Sequence, residues 1–411
     1  MNNAYDIVIA GGGLVGASLA CALGNSGLRI AVVEGVALDT GRQPSYDDRT
    51  TALAPSTVRI FQALGLWERL RDGATPIREV HVSERGGFGF THMSAAEEGL
   101  DALGYVISNR RMGEVLPKRV AELDQVDLLC PATVQDVITA HDHAAVTVKT
   151  EAGERRLETK LLVVADGTRS KLREILGIGV DRRDYGQVGV IANITPEREH
   201  RGRAFERFTS DGPMALLPTD GGRCALIWSV PTDEAPRLRA LSDQQFLAEV
   251  QQHFGHRLGR LLQVGSRATY PLASVTARAV TAERAVIVGN AAHTLHPVAG
   301  QGFNLALRDV AALAELLHEA ALEGADPGRT ALLQRYAEDR QADYRRVGGF
   351  TDFLVRIFSN RLPGLGLVRN LGLVGLDLWP SGKRRFMRYA MGREGRLPRL
   401  ARGLPLEGAR S

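Results

Sequence analysis

The fold is decided by the stretch Tyr5-Asp6-Ile7-Val8-Ile9-Ala10-Gly11-Gly12-Gly13-Leu14-Val15-Gly16. Its first half is a short apolar run that predicts a buried strand, and residues 17–24 are helical in composition. Gly11 allows a tight turn, Gly13 lets a pyrophosphate approach the backbone, and Gly16 lets the helix pack closely on the strand. The stretch therefore predicts a strand, a phosphate-binding turn and a helix.

A second apolar run, Leu28-Arg29-Ile30-Ala31-Val32-Val33, ends at Glu34, about 20 residues after the glycines. A carboxylate at this position can accept hydrogen bonds from ribose hydroxyls. The complete strand, turn, helix, strand and acid pattern predicts a dinucleotide site that includes Leu14 and Val15 at the helix start. NAD and FAD can both use this pattern, so these residues alone leave the dinucleotide open.

A second strand-to-helix joint lies at Gly289-Asn290-Ala291-Ala292-His293-Thr294-Leu295-His296-Pro297-Val298-Ala299-Gly300-Gln301-Gly302-Phe303-Asn304. Gly300 and Gly302 lack a Cβ, so the backbone amides there can approach a flat ligand. The start of the following helix adds free N–H groups and the positive end of the helix dipole, which would stabilise the negative charge of a reduced isoalloxazine ring. The alternative is an ordinary joint whose glycines serve only for turning.

Two further segments are candidates for the same site. The apolar run Leu161-Leu162-Val163-Val164-Ala165 ends at Asp166-Gly167, a pair suited to a tight turn facing a cofactor, although a plain turn is the alternative. Arg49, in Asp47-Asp48-Arg49, could stabilise phosphate charge or the flavin edge, or it could be a solvated loop charge.

His293 and His296 lie in the loop of residues 289–304, near the predicted flavin position. We expect each to be a turn histidine bonded to the backbone.

Composition excludes several classes of protein. The 411 residues carry a formal net charge of +4 and are 44% hydrophobic, which is typical of a globular protein with a sizeable core and too weakly basic to indicate nucleic acid binding. The cysteines Cys21, Cys130 and Cys224 are far apart, which indicates buried thiols and no metal site. With no secretion signal and no apolar run near 18 residues, we expect a cytoplasmic protein.

Three separated motifs now coincide: the glycine turn with Glu34, the Asp166-Gly167 turn, and the loop of residues 289–304. Together they resemble the class A flavoprotein aromatic monooxygenases of the para-hydroxybenzoate hydroxylase type, over about residues 5–345. Asp48 with Leu53, and Gly212-Pro213-Met214-Ala215-Leu216-Leu217-Pro218 after Phe208, are most similar to the ubiquinone-biosynthesis branch, in particular to the 2-polyprenyl-6-methoxyphenol hydroxylases.

The resemblance implies FAD as the cofactor and carries over its binding residues by motif. Arg110 is the alternative to Arg111, because the match there is loose. Asn290 stands where the broader family has an aspartate that contacts the ribityl chain; an amide keeps an acceptor oxygen and loses one charge. The residues assigned to FAD on this basis are Gly11, Gly13, Leu14, Val15, Gly16, Glu34, Arg49, Arg111, Val134, Asp166, Gly289, Asn290, Pro297, Gly300, Gln301, Gly302 and Asn304.

The same resemblance implies the reaction. NAD(P)H, a transient co-substrate, reduces FAD, and a flavin C4a-hydroperoxide then hydroxylates the aromatic ring of a polyprenylated phenol. No general acid or base is assigned, and no metal. A hydroxylase of another small phenol and a non-catalytic flavoprotein subunit of a quinone-biosynthesis complex are alternatives. A flavin halogenase is disfavoured because Trp67, Trp228 and Trp379 are isolated.

The expected fold is α/β: a Rossmann-like FAD-binding domain of the glutathione-reductase type, an inserted mostly antiparallel β-sheet substrate domain and a helical C-terminal tail. We assign residues 1–76, 105–180 and 271–345 to the FAD-binding domain. Residues 77–104 and 181–270 form the substrate domain, and residues 346–411 form the tail.

The tail combines apolar and basic segments. Phe350, Phe353, Leu354, Ile357 and Phe358 recur at helical spacing, leucines continue over residues 362–378, and arginines cluster after Lys383. Apolar surface followed by clustered arginines suits an anionic membrane surface, at the inner face of the cell membrane, or a partner subunit of a quinone-biosynthesis complex. The alternative is a helix docked on the protein's own body with a frayed basic end.

Overall fold

The computed structural model describes residues 3–37, 49–359, 365–392 and 395–406. Asp47, Asp48, Leu362 and Arg393, which entered the sequence analysis, lie outside these ranges. The helices of the described residues are α1 Leu14–Leu23, α2 Pro55–Ala63, α3 Trp67–Leu70, α4 Asn109–Ala121, α5 Lys171–Ile175, α6 Glu234–Ala240, α7 Asp243–Phe254, α8 Gln301–Leu322, α9 Thr330–Ser359, α10 Leu365–Leu378 and α11 Pro380–Ala390.

The strands fall into three sheets. In chain order they are β1 Ala4–Ala10, β2 Ile30–Val33, β3 Thr50–Leu53, β4 Ala74–Ile77, β5 Glu79–Glu84, β6 Phe90–Ser94, β7 Gly104–Ser108, β8 Val126–Leu129, β9 Ala132–Thr139, β10 Ala144–Thr150, β11 Gly153–Val164, β12 Val180–Pro196, β13 Arg203–Thr209, β14 Gly212–Pro218, β15 Cys224–Pro231, β16 Leu261–Val264, β17 Ala268–Ala277, β18 Thr281–Ala282, β19 Ala285–Ile287 and β20 His293–Thr294.

The first sheet is the nucleotide-binding core. Its order is β18-β19-β11-β1-β2-β8, and the neighbours from β19 to β8 run parallel. Ile7 and Ile9 of β1 pack against α1, α4 and α8, whereas Val8 and Ala10 pack against the antiparallel strands β9 and β10. Because both faces are covered, the central parts of these strands, at residues 7–10, 30–33 and 161–164, are apolar, as the short runs at residues 5–10 and 161–165 predicted.

The second sheet is mostly antiparallel, in the order β20-β17-β12-β15-β14-β13-β5-β6, with β16 beside β12. One face packs against α6 and α7 through Trp228, Phe246 and Phe254. The other face looks toward the nucleotide-binding core. Residues 77–104, which the sequence assigns to the substrate domain, supply β5. This strand pairs in parallel with β13 and so joins the segment to the second sheet.

The third sheet, β3-β7-β4, is small, and its strands lie between β2 and β8 of the first sheet in chain order. The predicted fold class is confirmed by this arrangement of a parallel sheet, an antiparallel sheet and C-terminal helices. The domain boundaries stay a proposal. Five elements of the described residues cross them, namely β4, β7, β12, β17 and α9.

The tail is helical, as predicted, and its parts differ in exposure. Leu354 and Ile357 of α9 pack with Phe208 and Val298, so this stripe faces the protein body. Leu400 and Ala401 are buried against the core near α2, so the last described segment is docked. Among the described residues, no helix combines the length and the apolar character needed to span a bilayer.

Candidate cofactor and substrate site

The N-terminal glycine turn is built as its sequence predicts. Gly11 has a φ of +108°, and a Cβ there would lie 2.5 Å from the carbonyl oxygen of Ala165. A Cβ on Gly16 would lie 1.9 Å from the carbonyl oxygen of Gly11. Gly13 precedes α1 without a side-chain cap, so the first amides of α1 keep free donors. The turn presents these donors toward the space that a phosphate would fill.

Glu34 sits where β2 ends, directly beside this turn. Its carboxylate is buried and accepts from the amides of Gly12 and Val36, each at 2.8 Å. Each carboxylate oxygen keeps a lone pair for a hydroxyl donor. Ala132 donates to the Glu34 carbonyl at 2.7 Å, which brings the start of β9, the strand that carries Val134, next to Glu34.

The second glycine loop meets the first. Gly289, with a φ of +62°, would place a Cβ 3.0 Å from the Val15 side chain. Gly300 has a φ of +59° and precedes α8, again without a side-chain cap. The N-termini of α1 and α8 therefore open toward one cavity, and each adds amide donors and a positive dipole end to it.

Asn304 holds the start of α8 in place. Its Nδ2 donates to the carbonyls of Ala52 and Gly300, and its Oδ1 accepts from the Ala54 amide and the Thr57 hydroxyl, at 2.7–2.8 Å. Its side-chain amide is thus fully used inside the protein. Gln301 likewise donates to the carbonyl of Ala390 and ties α8 to the end of α11.

A single large cavity of about 1220 Å³ runs from the glycine turn across the second sheet to α9, α10 and α11. The predicted FAD residues that line it are Gly13, Leu14, Val15, Arg49, Asn290, Pro297, Gly300, Gln301, Gly302 and Asn304. Gly11, Gly16, Glu34, Val134, Asp166 and Gly289 lie behind this lining, in or beside the turns that shape it. Asp166 is followed by Gly167, which does line the cavity.

The two predicted arginines differ. Arg49 lines the cavity, and its guanidinium lies over the Tyr270 ring, 4.7 Å from the ring centre. Arg111 is not among the lining residues. It donates to the Arg69 carbonyl at 2.8 Å, lies 3.4 Å from Glu114, and packs under Gly73. Arg110, the alternative, is exposed. The resemblance assigned this arginine by motif and could not show which way its side chain turns.

The two histidines of the loop have different roles. His296 accepts from the Val298 amide at 3.2 Å, as expected of a turn histidine, and burial lowers its pKa to about 4. His293 instead bonds the carboxylate of Asp309 at 2.6 Å. Asp309 also binds Arg340 at 2.8 Å, and both are buried. The expected backbone partner of His293 is therefore replaced by a carboxylate on α8, because the loop folds back over that helix.

Sequence reasoning missed a cavity-facing carboxylate, Glu206 on β13. The alternation Ala204, Glu206, Phe208 places all three side chains on the cavity face of the strand, and all three line the cavity. The sequence does contain this pattern, an acid between two apolar residues on one face of a strand. The pattern indicates a cavity position only when β13 is known to lie inside the sheet, between β14 and β5.

The residues present fit FAD. Cβ-free turns open at Gly11 and Gly300, α1 and α8 begin without a side-chain cap, and Glu34 offers a carboxylate at the ribose position. No group of His, Cys, Asp and Glu side chains in the described ranges could hold a metal ion. This donor set suits a dinucleotide whose flat ring lies in the cavity.

Comparison with known proteins agrees with this geometry. Residues 4–351 match the family described as FAD binding domain. The chain is 39% identical over 404 residues to ubiquinone hydroxylase UbiL of Rhodospirillum rubrum, covering 98% of this chain and 93% of that protein. It is 32% identical to 3-demethoxyubiquinol 3-hydroxylase of Escherichia coli, covering 95% and 99%. The fold is similar to the crystal structure of p-nitrophenol 4-monooxygenase PnpA of Pseudomonas putida, with a TM-score of 0.79, 20% identity and coverage of 96% and 100%.

Proposed function

Because this chain belongs to the FAD binding domain family and is an FAD-dependent aromatic monooxygenase, we propose that it hydroxylates the ring of a polyprenylated phenol in ubiquinone biosynthesis. The co-substrates are NAD(P)H and O₂. When bound, FAD supplies electrons taken from NAD(P)H and activates O₂ for transfer to the ring.

The observation that carries this proposal is the shape and lining of the cavity. One end is framed by the turns at Gly13 and Gly300, where the flavin would lie. The other end is walled by apolar side chains of the C-terminal helices, Leu354, Leu373, Leu376, Phe386 and Met391. A phenol ring fits at the flavin end, and the continuous apolar wall suits an isoprenoid chain, whose burial is favourable by about 0.8 kcal/mol per methylene.

The chain's own residues would orient the reactants and keep water out. The amides that begin α1 would hold the pyrophosphate, Glu34 would hold the adenosine ribose, and the amides that begin α8 would face the flavin pyrimidine. The sheet face above the loop is mostly apolar, which would limit the access of water to the reacting centre.

The test is hydroxylation by the purified FAD-loaded protein, with ¹⁸O₂ and either NADH or NADPH. We expect phenols with geranyl or farnesyl chains to stimulate NAD(P)H oxidation, and mass spectrometry to find one ¹⁸O in the ring. KM should fall as the chain lengthens, since each added unit buries more apolar surface. NAD(P)H oxidation that never incorporates oxygen, with any prenylphenol, would contradict the proposal. A preference for short phenols would favour the hydroxylase of another small phenol.

The outward face of α10 supports membrane docking. We define the α10 surface as Leu367, Val368, Leu371, Leu378 and Trp379, whose side chains are 55–76% exposed. The opposite face is anchored: Asn370 accepts from the Gly89 amide at 2.6 Å, and Thr91 donates to the Leu373 carbonyl at 2.7 Å. A surface helix ordinarily turns its polar side outward, so this reversed arrangement indicates an apolar partner.

The partner we favour is an anionic membrane surface. Arg384, Arg385 and Arg388 of α11 are exposed directly after the α10 surface, and arginines beside an apolar helix face with a tryptophan are typical of helices that lie in the membrane interface. Val368 and Gly372 of α10 also line the cavity. A lipid-borne substrate would then enter the cavity beside this helix.

Substitution tests this docking better than removal of the C-terminal helices, because α9, α10 and α11 are part of the cavity wall and their removal would also open the cavity. We expect Leu367→Ser, Leu371→Ser and Trp379→Ser together to lower cosedimentation with phosphatidylglycerol vesicles at least fivefold. The matched control is Ile138→Ser with Leu322→Ser, which removes exposed apolar side chains elsewhere. Equal sedimentation of the two variants would contradict membrane docking, and the α10 surface would then suit a partner subunit.

A further inference from the structure

One row of side chains on the cavity face of the second sheet contains a single ionisable residue, Glu206. A row of paired residues crosses the strands from β6 to β17, and every member lines the cavity: Thr91, Val82, Glu206, Ala215, Ile227, Ile191 and Ala268. The Thr91 hydroxyl already donates to the Leu373 carbonyl. Among the described residues that line the whole cavity, Glu206 is the only acid.

Glu206 lies over the flavin end of the cavity. Its neighbours on the same strand face are Ala204 and Phe208. Ala204 belongs to the apolar cluster that contacts Ala52, and Phe208 packs with Val298. Ala52 and Val298 flank the Gly300 turn, since a Cβ on Gly300 would lie 3.3 Å from the Ala52 Cβ, and Val298 is two residues before it. The carboxylate therefore faces the loop that would hold the flavin ring.

No described residue offers Glu206 a hydrogen bond or a counterion. The basic residues that line the cavity are engaged elsewhere: Arg49 over Tyr270, Arg223 with Asp220 at 2.9 Å, and Arg369 with Glu84 at 2.5 Å. Val82 and Ala215, which flank Glu206 on β5 and β14, do not titrate. Removal from water alone raises the pKa of the Glu206 carboxyl to about 7. A half-buried carboxylate that has no partner among the described residues and lines a binding cavity indicates that the ligand supplies one.

We propose that Glu206 is a catalytic residue that accepts the hydrogen bond, and then the proton, of the substrate's phenol hydroxyl. This inference rests on the proposed function. As one oxygen atom derived from O₂ bonds to a ring carbon ortho or para to the hydroxyl, its O–O bond breaks, the O–H bonding electrons move toward the ring and the proton passes to Glu206. The second oxygen atom leaves as water, with the two electrons that NAD(P)H supplies. The ring is then a cyclohexadienone. The attacked carbon releases its proton to solvent, which restores aromaticity, and Glu206 returns its proton to the phenol oxygen.

The first experiment measures binding without turnover. The FAD-loaded protein, with no NAD(P)H, is titrated with 2-geranylphenol and with its methyl ether, which cannot donate, between pH 5.5 and 8.5. We expect the wild type to bind the phenol at least tenfold more tightly than the ether at pH 8.5, with the preference fading below about pH 7. Glu206→Gln should show less than a threefold preference that does not vary with pH, and Glu206→Asp should keep part of it.

The control variant is Glu199→Gln, at an exposed acid outside the cavity lining, and it should behave as the wild type. FAD absorbance near 450 nm and the melting temperature verify that each variant is folded and loaded. In turnover, Glu206→Gln should lose about 100-fold in kcat, within the range of general base catalysis.

The outcomes separate the two proposals. A Glu206→Gln protein that keeps the wild-type preference for the phenol, and its pH profile, overturns the assignment of Glu206 even if the wild type hydroxylates prenylphenols. A wild type that shows the Glu206-dependent preference but incorporates no oxygen supports Glu206 as the phenol's partner and contradicts the proposed hydroxylation.

Discussion

At the scale of single residues, the adenosine end of the site depends on Glu34. Its carboxylate is held by the amides of Gly12 and Val36, so it is positioned before any ligand binds. We predict that Glu34→Ala lowers FAD affinity about 10–100-fold, because hydrogen bonds to a charged group contribute about 1.5–3 kcal/mol. Fluorescence titration of the FAD-free protein measures this, with the exposed Glu154→Ala as the control. An affinity within twofold of the wild type would remove Glu34 from the FAD site.

Residues whose role is local were predictable, and residues whose role depends on distant strands were not. Gly11 and Gly16 were identified because a turn between a strand and a helix needs them wherever the rest of the chain goes. Glu206 was not, because its importance appears only when β13 lies between β5 and β14. For the same reason the sequence could not show that Arg111 turns toward the Arg69 carbonyl.

At the scale of elements, the position of α8 relative to β3 and α2 rests on Asn304. Its side-chain amide makes four hydrogen bonds that join the three elements. We predict that Asn304→Ala lowers the free energy of unfolding by about 2–4 kcal/mol, since buried backbone groups lose their partners. FAD should also dissociate more readily, because the first turn of α8 is released. Urea unfolding and FAD retention on a desalting column measure the two effects.

The matched control for Asn304 is Gln252→Ala on the exposed face of α7, which should change stability by less than about 0.5 kcal/mol. Equal stability of the two variants would mean that Asn304 does not hold α8.

The resemblance assigned Asn304 to FAD binding, whereas in the structure its side chain holds the loop that would face the flavin. The helix itself was predictable from its apolar spacing; its partner elements were not, because they lie some 250 residues earlier in the chain.

At the scale of the whole molecule, a buried ionic network joins the flavin loop to the C-terminal helices. Asp309 of α8 binds His293 of the loop and Arg340 of α9, and Arg340 and Arg308 both bind Asp343. We predict that Asp309→Asn lowers the free energy of unfolding by about 3 kcal/mol or more, because it leaves buried cationic groups undercompensated. Glu319→Gln, which removes an exposed partner of Arg335, is the control and should change stability by about 1 kcal/mol or less. Similar urea midpoints for both variants would contradict a structural role for the network.

The same buried groups set the response of the whole molecule to acid. Burial lowers the pKa of His296 to about 4, against about 6.5 in an unfolded chain, so below pH 6.5 the unfolded state binds a proton that the folded state refuses. This contribution to stability is complete above about pH 6.5 and is lost as the pH falls toward 4. It amounts to at most about 3 kcal/mol, at 1.36 kcal/mol for each pKa unit. Burial also lowers the pKa of His81 to about 4, so His81 adds a loss of stability in the same pH range. Arg308 and Arg340 lower the pKa of Asp343 to about 2, so its contribution to stability is lost only below about pH 4.

We predict that His296→Gln unfolds in less urea than the wild type at pH 7.5 and loses distinctly less stability between pH 7.5 and 4.5. Parallel losses in the two proteins would show that His296 takes up its proton equally well folded and unfolded.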